Sequence, residues 1–545
     1  MASPPRVRAQ TAEPRLVVLI SVDQLRADFT TQFTGHFCDG GFARLRRLGA
    51  SFENATLSYG ASATGPGHAT LATGRIPRHH GIVANKWFLD ASATTSRHAV
   101  DDPNCQMVGL PPGTSGGGKS AWQLIGATVG DELKRRDPRS RVFSVSLKDR
   151  TAIYMAGKGA DGVFWWDKRA GGDFVSSTYY VRRLPAYVED FNRNKLADGY
   201  GGATWDMLLD SNAYVGCIPV RAEWLDGVLP YGLHFPHVLP PADYDPRGLY
   251  YYCVYGSPFG NDMVLEMAKR ILVNERLGAD GIPDLLCIGL SSNDVVGHLF
   301  GPDSPEIMDM TVRTDRQLAG LLDLLDREVG LGSCLIVLTA DHGVTMPGAV
   351  ARLKGLDGGR AEIVKACGRL NAMLRERFGP LANGREYVSG QQIPWVYFDR
   401  AFLRLDEDRR GEILRTAAEF FGSVPGVADV FRADELIGPE PPPDDRAHYL
   451  AWRSFHPERS GELFLRLAPY HYYASGEFAG HSPGLPTDLE IPVMIAGPGV
   501  RPGPYFRPVR LCDVAPTVAE LVGVRLSDCS DGRVLREALA TTVPQ

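Results

Sequence analysis

Continuous apolar, β-branched runs alternate with helical periodicity along most of this chain. The first run, Leu16–Val22 (LVVLISV), has the length and composition of a strand buried on both faces of a parallel sheet. Comparable runs at Arg141–Val145, Asp284–Leu290, Cys334–Thr339 and Ile491–Ala496 predict further strands. Between them, apolar spacing predicts helices at Gly41–Leu48, Ala121–Arg136, Asn261–Arg276, Pro305–Val329 and Ala515–Val522, and another over Gly67–Thr73 with Pro66 at its start. Two stretches interrupt the alternation. Residues 155–255 are rich in Trp, Tyr, Gly and Pro and have weak periodicity. Residues 345–475 carry helix patterns near Ala361–Phe378 and Arg409–Phe421, the loop Pro439–Asp445 and a strand near Glu462–Leu467. The expected fold is therefore α/β, a central, mostly parallel sheet flanked by helices, forming one domain over 14–545 with two large insertions. Ligands in such folds bind beyond the carboxyl ends of the strands.

Composition narrows the function classes. A chain of 545 residues buries a sizeable core without disulfide or metal staples. Its 60 Gly and 39 Pro point to many turns and long ordered loops. The net charge of −6 argues against a binder of nucleic-acid duplexes or membrane surfaces, while leaving room for a local basic pocket. None of the nine cysteines forms a CxxC pair, so a thiolate zinc site is not expected. Cys287 and Cys334 lie in apolar runs and are expected to be buried free thiols. A pairing of Cys512 with Cys529 stays open. No run of ~18 apolar residues occurs, so no membrane span is expected. Residues 1–13 are polar and Pro-rich, without the apolar core of a signal peptide. They are expected to be a disordered leader, or what remains after a signal has been removed.

The polar residues that matter fall at strand ends. Asp23 follows the first strand, Asp294 and His298 follow the strand 284–290, and Asp341 and His342 follow the strand 334–339. His481 precedes the last predicted strand. Three Asp and three His would thus converge on one sheet edge. Carboxylate and imidazole suit Zn²⁺, and six such ligands fit two metals better than one catalytic zinc. Asp294 and His298 are four apart, which one helical face accommodates. Singly, each Asp could equally be a cap or turn residue. His68 is expected to pack or hydrogen-bond rather than ligate, and His79 and His80 to sit on an exposed turn. Thr64 lies just before a predicted helix N-terminus, where free N–H groups favour an anion. It is either a nucleophile or only an N-cap. Lys148-Asp149-Arg150 is either a phosphate-facing pair or a solvated loop.

Together these segments resemble the alkaline phosphatase superfamily. The likeness is to its PafA-type phosphatases with a Lys/Arg pair, close to the type I phosphodiesterase/nucleotide pyrophosphatase branch. The matching segments are VDQLRAD (22–28), TGPGHATLATG (64–74), HGIVANKWF (80–88), SLKDRTAI (146–153), LSSNDVVGHLFGPDS (290–304), LTADHGV (338–344) and GHSPG (480–484). Gly65 is a small departure from the family's (A/C)PGH. The resemblance implies an alkaline-phosphatase-like fold and two Zn²⁺. Thr64 would be the nucleophile, transiently phosphorylated. Asp23, Asp341 and His342, with the Thr64 oxygen, would hold one zinc, and Asp294, His298 and His481 the other. Asn85 would hydrogen-bond a phosphate oxygen, and Lys148 and Arg150 would face the phosphoryl group.

The implied activity is hydrolysis of phosphate monoesters at alkaline pH, with some diesterase activity. Implied partners are small phosphorylated substrates and inorganic phosphate. A monomer in the periplasm or outside the cell is expected. Two alternatives stand beside this reading. One is a phosphodiesterase or nucleotide pyrophosphatase of the same superfamily. The other is a non-catalytic protein that binds metal and phosphate. Trp165, Trp166, Tyr179 and Tyr180 either wall the cleft, where they could stack a leaving group, or simply pack.

Overall fold

The computed structural model describes residues 13–88, 96–111, 113–114, 116–225, 231–244, 248–473, 478–481, 484–527 and 530–540. The leader expected over residues 1–13 lies outside them except for Glu13, and so does Cys529. The strands that build the site are β1 (Leu16–Val22), β5 (Val142–Ser146), β8 (Asp284–Leu290) and β9 (Cys334–Thr339). Every residue of these four strands is buried, as expected for strands covered on both faces. They belong to an eleven-stranded sheet whose other members are β2 (Gly49–Phe52), β3 (Asp101–Val108), β4 (Gly117–Lys119), β6 (Gly162–Asp167), β7 (Asp173–Ser177), β14 (Val493–Ala496) and β15 (Gly503–Tyr505). The order is β15-β2-β14-β9-β1-β8-β5-β6-β7-β3-β4.

Five neighbouring strands, β9-β1-β8-β5-β6, run parallel. Their register is what builds a site. Val22 pairs with Leu290, Ser21 with Thr339 and Gly289 with Ser146, so the four site-building strands end at one level. β14 pairs antiparallel with β9, with Val493 opposite Thr339. Its start therefore lies at the edge where the parallel strands end. A segment preceding β14 enters at that edge because the strand runs backwards.

Two boundaries differ from the sequence expectation. The helix expected over Ala121–Arg136 is α2 (Val129–Arg136) alone. Thr128 accepts from the Asp131 N–H while the Asp131 side chain caps in return, and this capping box sets the start. Part of the segment 155–255 belongs to the sheet: β6 pairs parallel with β5, and β7 antiparallel with β6. Trp165 and Trp166 sit in β6 at 2% and 6% exposure, so their bulk is mostly core packing. Tyr179 packs edge-on against Tyr180, whose hydroxyl donates to the Gly157 carbonyl.

The stretch 345–475 builds its own four-stranded sheet, β10 (Val388–Gln392), β11 (Trp395–Phe398), β12 (Val427–Arg432) and β13 (Leu463–Leu467), in the order β10-β11-β13-β12. Helices Ile363–Phe378 and Glu407–Gly422 cover it, and a second apolar core forms around Leu370, Ile413 and Phe421. Cys287 and Cys334 are buried free thiols. Among the described residues no helix is long and apolar enough to cross a membrane.

Candidate active site

The common level of the strand ends brings the acidic residues together. Asp23 follows β1 directly, and its N–H donates to the Leu290 carbonyl of β8. Asp294 and His298 lie one turn apart on α5 (Ser292–Phe300), with His298 Nε2 3.3 Å from Asp294 Oδ1. Asp341 and His342 follow β9, and His342 Nε2 lies 3.4 Å from Asp341 Oδ2 and 3.7 Å from Asp23 Oδ1. His481 precedes β14, with its ring centroid 4.0 Å from that of His342 and 5.4 Å from that of His298. Two groups of ligand atoms each lie within 4.8 Å of one another: Asp294, His298 and His481, and Asp23, Asp294 and His342. Asp294 belongs to both. The expected partition placed Asp341 with Asp23 and His342, and Asp341 reaches that group through the His342 contact.

These residues fit divalent cations on their own chemistry. Asp23 Oδ1, Asp341 Oδ2 and His342 Nε2 are buried without a hydrogen-bond partner although they converge. Orphaned acceptors in one place call for a cation. The tautomers agree. His342 Nδ1 donates to the Gly343 carbonyl at 2.9 Å and His298 Nδ1 to the Ala479 carbonyl at 2.7 Å. Each imidazole thus turns an Nε2 lone pair toward the cluster, the arrangement that orients metal-binding histidines. Electrostatics point the same way. Burial and then Asp341 raise Asp23 to about 7, and burial raises Asp341 to about 6. Burial also lowers His342, and lowers His481 strongly, so both rings are neutral donors.

Thr64 opens α1 (Thr64–Thr73), a fully buried helix. The N-cap is Ala63, so the Thr64 hydroxyl does not cap the helix. It is met instead by Lys148 Nζ at 3.2 Å. The same ammonium lies 2.7 Å from Asp23 Oδ2 and 2.6 Å from Asp294 Oδ2. Burial works against the charge on Lys148, but Asp23 and Asp294 outweigh it and push the pKa well up. Burial alone would raise Asp294; Lys148 and His298 hold it well below the usual carboxylate range. Asn85 Oδ1 accepts from the Gly65 N–H at 2.7 Å. That fixes the amide so that its NH₂ is the group left to donate. Arg150 lies two residues beyond Lys148 in α3 (Asp149–Ala156), with Nη1 3.7 Å from Asp149 Oδ1.

Several contributors escape a residue-by-residue reading of the sequence. Gln24 holds φ +65°, a left-handed backbone that a long side chain rarely adopts. The turn lets its N–H donate to Asp341 Oδ1 at 3.1 Å and its Nε2 donate to Asp294 Oδ1 at 3.0 Å. One residue thereby ties carboxylates from two strand ends. Its place in the VDQ segment was the only signal. Gly67 is required by contact, since a Cβ there would collide with Asp341. His80 is buried rather than on an exposed turn: its Nε2 pairs with Thr70 Oγ1 at 3.0 Å and its Nδ1 accepts from the Ile82 N–H. His79 is half-buried against Asp531. His68 Nδ1 donates to the Thr64 carbonyl at 2.8 Å, and burial lowers its pKa to about 4. The stretch 345–475 supplies Gln392, Ile393, Pro394 and Tyr473 to a pocket of about 160 Å³ beside Asn85, His298 and His481.

Known proteins are similar to this chain. Residues 17–348 match the family model "Type I phosphodiesterase / nucleotide pyrophosphatase". The chain is 32% identical to alkaline phosphatase PhoV of Synechococcus elongatus, over 98% of this chain and 95% of that one. It is 32% identical to alkaline phosphatase PafA of Elizabethkingia meningoseptica, over 96% and 94%. The crystal structure of wild-type PafA superposes with a TM-score of 0.88, at 30% identity, covering 97% of this chain and 99% of that one.

Proposed function

The chain belongs to the type I phosphodiesterase/nucleotide pyrophosphatase family, and from that premise we propose that it hydrolyses phosphate monoesters through a phospho-threonine at Thr64. It is a phosphoric monoester hydrolase related to the alkaline phosphatases, acting on small phosphorylated compounds. The observation that carries the finer reading is Lys148, whose ammonium reaches Thr64 Oγ1, Asp23 and Asp294 at once. Asp23, Asp341 and His342, with Thr64, would hold one zinc, and Asp294, His298 and His481 the other. Two such ions would supply positive charge for the phosphoryl transfer and would favour the deprotonated form of a bound hydroxyl.

The chain's own residues do the rest. Thr64 Oγ attacks phosphorus, the ester P–O bond breaks, and the alcohol leaves with a proton. Water then cleaves phospho-Thr64, releasing phosphate and restoring the hydroxyl. Lys148, as an ammonium, stabilises the alkoxide and the phosphoryl oxygens. The α1 N-terminus adds its partial positive charge, and the Asn85 NH₂ is placed to donate to a nonbridging oxygen. Lys148 and Arg150 together match a monoester dianion. A diester carries one charge fewer and gains less from them. This function belongs to a single catalytic unit over 14–545, in a periplasmic or secreted setting.

The test compares p-nitrophenyl phosphate with bis-p-nitrophenyl phosphate on protein of known metal content. We expect an alkaline optimum, about two zinc ions per chain and a preference for the monoester. Thr64→Ala should lose at least about 10³-fold in kcat. Arg150→Ala should lose about 10–100-fold on the monoester and much less on the diester. A preference for the diester would assign the phosphodiesterase reading instead. Zinc-loaded protein without turnover, unchanged by Thr64→Ala, would mark a non-catalytic binder.

A further inference from the structure

Lys148 and Arg150 also border a second space. A cavity of about 780 Å³ opens against them, within the size range of small-molecule sites. It lies between the start of α3, the end of β6 with Lys168 and Arg169, the β3–β4 hairpin, and the face of α4 (Leu249–Tyr255) that carries Tyr252 and Tyr255. These tyrosines are three apart and share a helix face.

The charges around this cavity do not cancel. Four aspartates line it, and each is already engaged. Asp101 and Asp149 share Lys119, at 3.2 and 2.9 Å. Asp167 pairs with Arg169 at 2.5 Å, and Asp102 accepts from Ser120 Oγ and the Asn104 N–H. Arg97 and Lys168 stand exposed at the rim, and neither has an acidic partner among the described residues. Two buried donors on the lining, Arg150 Nε and Trp165 Nε1, have no hydrogen-bond partner. Buried N–H groups without acceptors are costly. Arg150 and Trp165 line the cavity, although these two atoms are themselves enclosed by protein.

We propose that this cavity is a second subsite of the active site, for phosphate esters whose organic part carries a further anionic group. The inference rests on the phosphomonoesterase reading and names its substrate class: small bisphosphates that also carry an aromatic ring. One phosphoryl group lies at Thr64 against Lys148 and Arg150. The ring lies against Tyr252 and Tyr255, where aromatic faces favour stacking. The second phosphate meets Arg97 and Lys168.

Binding is measured on the full zinc-loaded chain carrying Thr64→Ala, in which turnover is expected to be at least about 10³-fold slower. Calorimetry compares adenosine 3′,5′-bisphosphate with adenosine 5′-monophosphate. The bisphosphate should bind at least about tenfold more tightly, consistent with one or more charge-assisted contacts. Adding Arg97→Ala and Lys168→Ala, both exposed and remote from the core, should remove that preference. Equal affinities in the parent, or a preference that survives the double substitution, would overturn the subsite. Failure of the catalytic reading appears separately, as a chain with Thr64 intact that does not hydrolyse p-nitrophenyl phosphate.

Discussion

Lys148→Met isolates the cation that holds the strand ends together. Methionine keeps the length and apolar stem while removing the ammonium that sits 2.7 Å from Asp23 Oδ2 and 2.6 Å from Asp294 Oδ2. Both carboxylates are buried, so neither regains the lost interaction from water. Breaking a buried charge pair by removing one partner costs about 3–5 kcal/mol. With an unfolding entropy of about 2.1 cal/mol/K per residue, a cooperative transition of 545 residues would shift by about 3–4 °C. The assay is thermal unfolding of chelator-treated protein at pH 8, with and without added zinc. The deficit has a predicted pH dependence. A carboxyl whose folded pKa lies above its ordinary value, as Asp23 does at about 7, loses stability as pH rises through that value. Without Lys148 the carboxyls shift further upward, so the deficit grows from pH 5 to pH 8. Zinc should narrow it by supplying the missing positive charge. Equal melting temperatures in chelator at pH 8, or a deficit that does not change with pH, would refute this reasoning.

Gln24→Leu removes the donor to Asp294 Oδ1 and should weaken zinc binding about 10–100-fold in competition with a chromophoric chelator, as losses behind a metal ligand commonly do. Gly297→Ala should reproduce this, because a Cβ there would overlap Gln24 Oε1; unchanged affinity in both variants would separate Gln24 from the metal site. Glu462 accepts from the Phe398 N–H at 2.7 Å, and burial raises its pKa to about 7 from the ordinary 4.5. Its stabilising, protonated form is complete below about pH 4.5 and lost as pH rises through 7. Glu462→Gln keeps the acceptor and should be more stable than the parent at pH 8 by about 1–2 kcal/mol, discounted for the partly exposed carboxyl, and equal to it near pH 4.5 in denaturant titrations. A gap of the same size at both values would exclude titration of Glu462 as the cause.

The site was legible in the sequence wherever its chemistry is local. The runs 16–22, 284–290 and 334–339 are apolar because both faces of a parallel sheet are covered, and each gives way to ligand-type residues within a few positions. The spacing of Asp294 and His298 is a helical turn wherever the helix lies. Long-range pairing decided the rest. His481 reaches the cluster because β14 runs antiparallel to β9, and that direction depends on hydrogen bonds to a strand some 150 residues earlier. β6 joined the sheet from a segment without clear periodicity, since its aromatic residues satisfy burial on both faces at once. Thr64 is a helical residue whose hydroxyl is not used as a cap because Ala63 takes the cap position, a distinction of one residue that local propensity does not resolve. The left-handed turn at Gln24 and the reach of Lys148 into two carboxylates and a hydroxyl have no sequence signature. They exist because the register of four strands sets their ends at one level, and only the folded sheet fixes a register.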